Sequence, residues 1–136
     1  MKLNLKVERL YPEPPEVVWN AIATSEGLAA WLMPNDFKPV VGHQFTFSFC
    51  APNSEEETSH VYAEVIELDP PWRMVWSWRN ETEDEATRVT FTLTRQNNGT
   101  LLQLDHFGPV PDFIGSELTK GWPTKLDVLK SLIGQR

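Results

Sequence analysis

Between Gly42 and Phe107 the chain repeats one pattern, an apolar side chain at every second position, through five successive stretches. Successive side chains on a strand point to opposite faces of a sheet, so this alternation predicts strands with one buried face. In the first stretch Phe45, Phe47 and Phe49 share one phase, while Gln44, Thr46, Ser48 and Cys50 take the other. In "RMVWSW", residues 73–78, Met74, Trp76 and Trp78 form one row and Val75 and Ser77 the opposite one. Val89, Phe91 and Leu93 repeat the pattern, and so do Leu102, Leu104 and His106 after the hairpin signal "NNG" at 97–99. Between residues 60 and 68 the phase slips, with Val61, Ala63 and Val65 followed by Ile66 and Leu68. That slip predicts a β-bulge around Val65. The expectation is an antiparallel meander of about five strands.

The flanks complete the architecture. Leu3, Leu5 and Val7 alternate with charged and polar neighbours, a further strand that ends near Tyr11 and Pro12. In "PEPPEVVWNAIA" a proline can occupy the first helical turn and Glu16 suits the positive end of a helix. Val18, Trp19, Ile22 and Ala23 then form an apolar stripe, so a short helix is expected there. Ser25 is the expected N-cap of a second helix, "EGLAAWLM", closed by Pro34. Near the C-terminus Leu118, Trp122, Leu126, Leu129 and Ile133 recur at spacings of four and three, which predicts one long helix. Pro123 removes a backbone donor inside it, so a kink or a fresh helix start is expected near Trp122. A sheet that curls around the last helix would bury all of these faces, an α+β two-layer arrangement. At 136 residues the chain fits one domain, 1–136.

Composition narrows the functions. The formal net charge of −7 argues against nucleic acid or an anionic membrane as partner, since both require a basic surface. No apolar run is long enough for membrane insertion, no signal-peptide pattern opens the chain, and Cys50 is its single cysteine, so a cytoplasmic location is expected. His43, His60 and His106 lack metal-ligand spacing and no glycine-rich phosphate loop occurs, so neither metal nor cofactor is expected. Asp105 and His106 are adjacent, which on a strand sends them to opposite faces and forbids a carboxylate–imidazole relay. Two acidic clusters, Glu55 to Glu57 and Glu81, Glu83, Asp84 and Glu85, fall in expected hairpin loops and read as solvated surface. A weak cation site or a docking patch for a basic partner is the alternative.

Five pieces in order, "PPEVVW", the lone Trp31, "DPPWRMVWSW", "GTLLQLDHFG" and "GW" opening the last helix, resemble the START-like, birch-pollen-allergen superfamily. Within it they resemble the branch named after the activator of the heat-shock-protein ATPase. The resemblance implies a helix-grip fold, a curved antiparallel sheet around the C-terminal helix, with a hydrophobic cavity between them.

Whether the aromatic row faces a core or a cavity is the functional question. Burying one tryptophan is worth roughly 4–6 kcal/mol, so core packing alone justifies such rings. An unfilled void of about 300 Å³ would cost on the order of 7 kcal/mol, so a persistent pocket implies a ligand. Candidate lining residues are Phe45, Phe47, Phe49, Tyr62, Trp76, Trp78, Phe91, Leu104, Trp122 and Leu126, with Trp31 and Phe37 either near a mouth or packed under a loop. His106 shares a face with Leu104 and is expected to point at the long helix, either as a satisfied core residue or as a polar contact for a ligand. Three functions follow. The first is non-catalytic binding of a small hydrophobic molecule such as a lipid, polyketide or aromatic metabolite. The second, implied by the resemblance, is regulation of a heat-shock chaperone. The third is a cyclase- or dehydratase-like cavity enzyme using His106 and Tyr62 as general acid or base. An exposed strand edge makes a homodimer a reasonable expectation.

Overall fold

The alternating stretches form strands that pair in sequence order. The computed structural model describes residues 1–50, 58–80 and 85–134, with Phe49, Cys50, Thr58, Ser59 and Gly134 described by backbone alone. The meander comprises β2 (Gln44–Cys50), β3 (Thr58–Asp69), β4 (Arg73–Arg79), β5 (Thr87–Gln96) and β6 (Gly99–Pro109). The first strand, β1 (Lys2–Tyr11), returns beside β6, so the sheet runs β1-β6-β5-β4-β3-β2, antiparallel throughout. The register of β3 on β4 shifts between Val65 and Glu67, the bulge expected from the phase slip. Asn97 takes a positive φ of 55° in the β5–β6 turn, a conformation that asparagine tolerates.

Two short helices, α1 (Pro15–Ile22) and α2 (Ser25–Trp31), connect β1 to β2. Pro15 occupies the first turn of α1. The cap of α2 is Thr24 rather than Ser25, because the Thr24 hydroxyl accepts the Gly27 amide at 3.0 Å while Ser25 already lies inside the helix. Asn35 ties the following segment together, donating to Ser25 and Met33 carbonyls and accepting from the Phe37 amide. That segment meets β2 through an Asn35–Phe47 bridge.

The last helix, α3 (Asp112–Gly134), is continuous through Pro123, so no fresh helix starts near Trp122. The missing N–H deprives the carbonyl four residues back, at Thr119, of its helical partner. Thr119 is exposed, so water can serve that carbonyl, and the helix survives. The far half of α3 is tied to β1: Arg9 donates to Asp127 at 2.7 Å, and the buried Tyr11 hydroxyl donates to the Leu126 carbonyl at 3.0 Å. Burial pushes the Tyr11 phenol well above its ordinary range, so the hydroxyl stays a donor. Among the described residues no helix is long and apolar enough to cross a membrane.

Candidate functional site

The inward faces of β2, β4 and β5 meet in a continuous cluster of rings. Trp76 is fully buried with its centroid 5.4 Å from Phe45, 5.6 Å from Phe47, 4.9 Å from Phe91 and 6.1 Å from Phe37. These rings fill the space under the middle of α3, together with Leu104 and Leu126, both fully buried. They are a packed core and line no part of the cleft beside the first half of α3.

That cleft, of about 540 Å³, opens beside the first half of α3. One wall is a helical stripe: Phe113, Ile114, Glu117, Leu118, Gly121, Trp122 and Lys125, recurring at spacings of three and four on one face. The opposite wall comes from Leu32 and Met33 after α2, Val61 of β3, Trp78 of β4 and Asn80. Most of this lining is apolar, with Asn80, Glu117 and Lys125 as its polar side chains.

Trp78 and Trp122 floor the cleft, each only 3 % exposed, with ring centroids 5.5 Å apart. Beneath them lies His106, wholly buried and satisfied on both sides. The Trp122 indole N–H donates to His106 Nδ1 at 3.1 Å. An indole nitrogen can only donate, so Nδ1 must accept and the proton sits on Nε2. That N–H donates to the Thr87 hydroxyl at 2.7 Å, and the hydroxyl in turn donates a hydrogen bond to the Trp78 carbonyl at 3.0 Å. The chain from one indole to the backbone of the other is therefore complete. Burial lowers the pKa of His106 from 6.5 to about 4, which keeps the ring neutral as the chain of donors requires.

Of the candidate residues from the sequence, Trp78 and Trp122 reach the cleft and His106 supports them from below. Phe37, Phe45, Phe47, Trp76, Phe91, Leu104 and Leu126 sit in the core. Trp31 is also buried, its indole donating to the Ala21 carbonyl at 2.8 Å. Tyr62 lies on the other face of β3 from Val61 and Ala63, away from α3, beside His60 with rings 6.2 Å apart. The Phe49 side chain lies outside the described residues, as do Glu55 to Glu57 and Glu81, Glu83 and Asp84. Phe113, Ile114 and Met33 belong to the cleft without having been expected there. For Phe113 and Ile114 the sequence signal is the extension of the α3 apolar stripe one turn before Leu118; Met33 has none.

The chain matches, over residues 12–134, the family described as Activator of Hsp90 ATPase homolog 1-like protein. Among solved structures it resembles protein MLL2253 from Mesorhizobium loti, at 30% identity and a TM-score of 0.85, with 97% of each chain covered. Protein CV1439 from Chromobacterium violaceum follows at 24% identity and 0.84, with 96% of each chain covered. DynU16, a protein in the dynemicin biosynthetic locus, shares the fold at 21% identity and 0.78, over 96% of this chain and 46% of its own. No curated protein is significantly similar. These neighbours share the helix-grip architecture, and the chain belongs to the Activator of Hsp90 ATPase homolog 1-like family.

Proposed function

We propose that the protein binds a small apolar molecule in the cleft between the first half of α3 and the side of the sheet bearing Trp78. The observation that carries this reading is the cleft itself, about 540 Å³ of mostly apolar lining open to solvent. Such a volume lies within the roughly 300–1,000 Å³ typical of small-molecule sites, and a few polar groups at the rim are the usual means of orienting a ligand. The hydrogen-bonded floor supports the same reading, because a rigid, preorganised surface loses less entropy when a ligand settles on it.

Binding fits the site better than catalysis. Proton transfer needs a group whose nitrogen or oxygen is free to meet the substrate, and both nitrogens of His106 are engaged beneath the floor. Tyr62 faces away from α3 and lies outside the cleft lining.

The test is a fluorescence titration with anilinonaphthalene sulfonate on the wild type and on Ile114→Asp, which places a charge on the cleft wall. Saturable one-to-one binding, weakened about tenfold or more by the charge, is expected. Equal binding by both proteins would overturn the reading.

A further inference from the structure

Gly121 is placed where an α-helix tolerates glycine least, in the interior of α3, at a cost of about 1 kcal/mol relative to alanine. Two ordinary reasons retain glycine in a helix, a left-handed backbone or a neighbour that leaves no room for a Cβ. Gly27 in α2 shows the second reason: a Cβ there would meet the Asn20 carbonyl at 2.6 Å and the Ala21 carbonyl at 2.7 Å. At Gly121 neither reason holds: φ is not positive and an added Cβ would meet nothing within 4 Å. The empty space it would enter is the cleft, whose wall Gly121 shares with Leu118 and Trp122.

We infer that Gly121 is a size-determining residue of the binding site, and that its missing side chain admits a broad ligand which lies directly against the bare backbone of α3. This rests on the reading of the cleft as a ligand site and adds which dimension of the ligand the chain selects. Leu118 lies one turn before Gly121 and Lys125 one turn after it, so the strip of uncovered backbone is bounded along the helix by side chains. On this inference a narrow molecule binds whether or not position 121 carries a side chain, whereas a broad apolar body, such as a fused-ring molecule, uses the uncovered strip.

The experiment compares wild type, Gly121→Ala and Gly121→Leu, using anilinonaphthalene sulfonate as a broad probe, toluene as a narrow one, and thermal unfolding. Gly121→Ala is expected to raise Tm by about 3–5 °C, as relief of an unneeded helix glycine should. Gly121→Leu is expected to weaken the broad probe about tenfold or more while leaving toluene within about threefold. Unchanged affinity of the Leu variant for the broad probe would overturn the inference and leave the cleft reading standing. So would loss of both probes alike, which marks a hinge, or a lowered Tm for the Ala variant, which marks a backbone requirement. A wild type that binds neither probe would overturn this inference together with the reading on which it rests.

Discussion

Trp122 donates its indole N–H to Nδ1 of His106 at 3.1 Å, and that bond couples the floor of the cleft to the protonation state of a buried ring. Protonating His106 would place a second N–H against the indole donor, so the neutral ring is the one that the fold accepts. With its pKa lowered from 6.5 to about 4, the folded protein leaves the ring neutral where the unfolded chain protonates it. The unfolded state then binds more protons, so stability falls as pH drops through the window between those two values. We expect His106 to contribute a loss on the order of 2 kcal/mol between pH 7 and pH 5. Urea unfolding of wild type and His106→Gln at both pH values isolates this contribution, since glutamine keeps a donor and an acceptor but does not titrate. Identical pH dependence in the two proteins would show that the ring is not held neutral.

Thr87 closes the same chain by accepting from His106 and donating to the Trp78 carbonyl. Thr87→Val preserves shape but leaves the buried Nε2–H without a partner, at an expected cost of about 1–3 kcal/mol. Denaturant midpoints measure it, and a cost near zero would mean that the hydroxyl carries no part of the floor.

The two aromatic environments should respond differently to truncation. Phe91 is fully buried against Trp76, so Phe91→Ala is expected to cost about 3–5 kcal/mol. Phe113 is 70 % exposed at the cleft wall, so Phe113→Ala should change stability by about 0.5 kcal/mol or less. Its effect belongs on the affinity for the broad probe. Comparable destabilisation by both variants would contradict the separation of core from cleft.

Tyr11 anchors β1 to the second half of α3 through its bond to the Leu126 carbonyl. Tyr11→Phe removes only the hydroxyl, and a loss of about 1 kcal/mol is expected in chemical denaturation. Probe binding should be unaffected, because neither residue lines the cleft. A change in affinity would show that the anchored half of α3 governs the site as well.

The strands and their inward faces were legible because a period of two leaves its mark on every residue of a strand, even to the bulge near Val65. The cap of α2 was misplaced by one residue, since Thr24 and Ser25 are adjacent and both have the chemistry of a cap. At Pro123 the local penalty was real, but packing of the α3 apolar face on the sheet outweighed it. For the site, periodicity separates inside from outside and says nothing about which part of the inside α3 covers. Trp76 and Trp78 therefore read alike, yet one lies beneath the helix among four rings and the other borders the cleft. The position of α3 across the sheet is a tertiary quantity, which is why Phe113, Ile114 and Met33 were not assigned to the site beforehand. His106 was placed correctly toward the helix, but its pairing with Thr87 depends on cross-strand neighbours that a single strand pattern does not specify.

Six tryptophans supply internal reporters of where an apolar ligand settles. Two-dimensional nitrogen–proton spectra recorded during titration with anilinonaphthalene sulfonate, with each indole signal assigned by a Trp→Phe variant, locate the ligand directly. The indole signals of Trp78 and Trp122 are expected to move in saturable proportion to bound probe, while those of Trp19 and Trp72 stay in place. Movement confined to Trp19 or Trp72, or no movement at Trp78 and Trp122 on saturation, would contradict binding in the cleft.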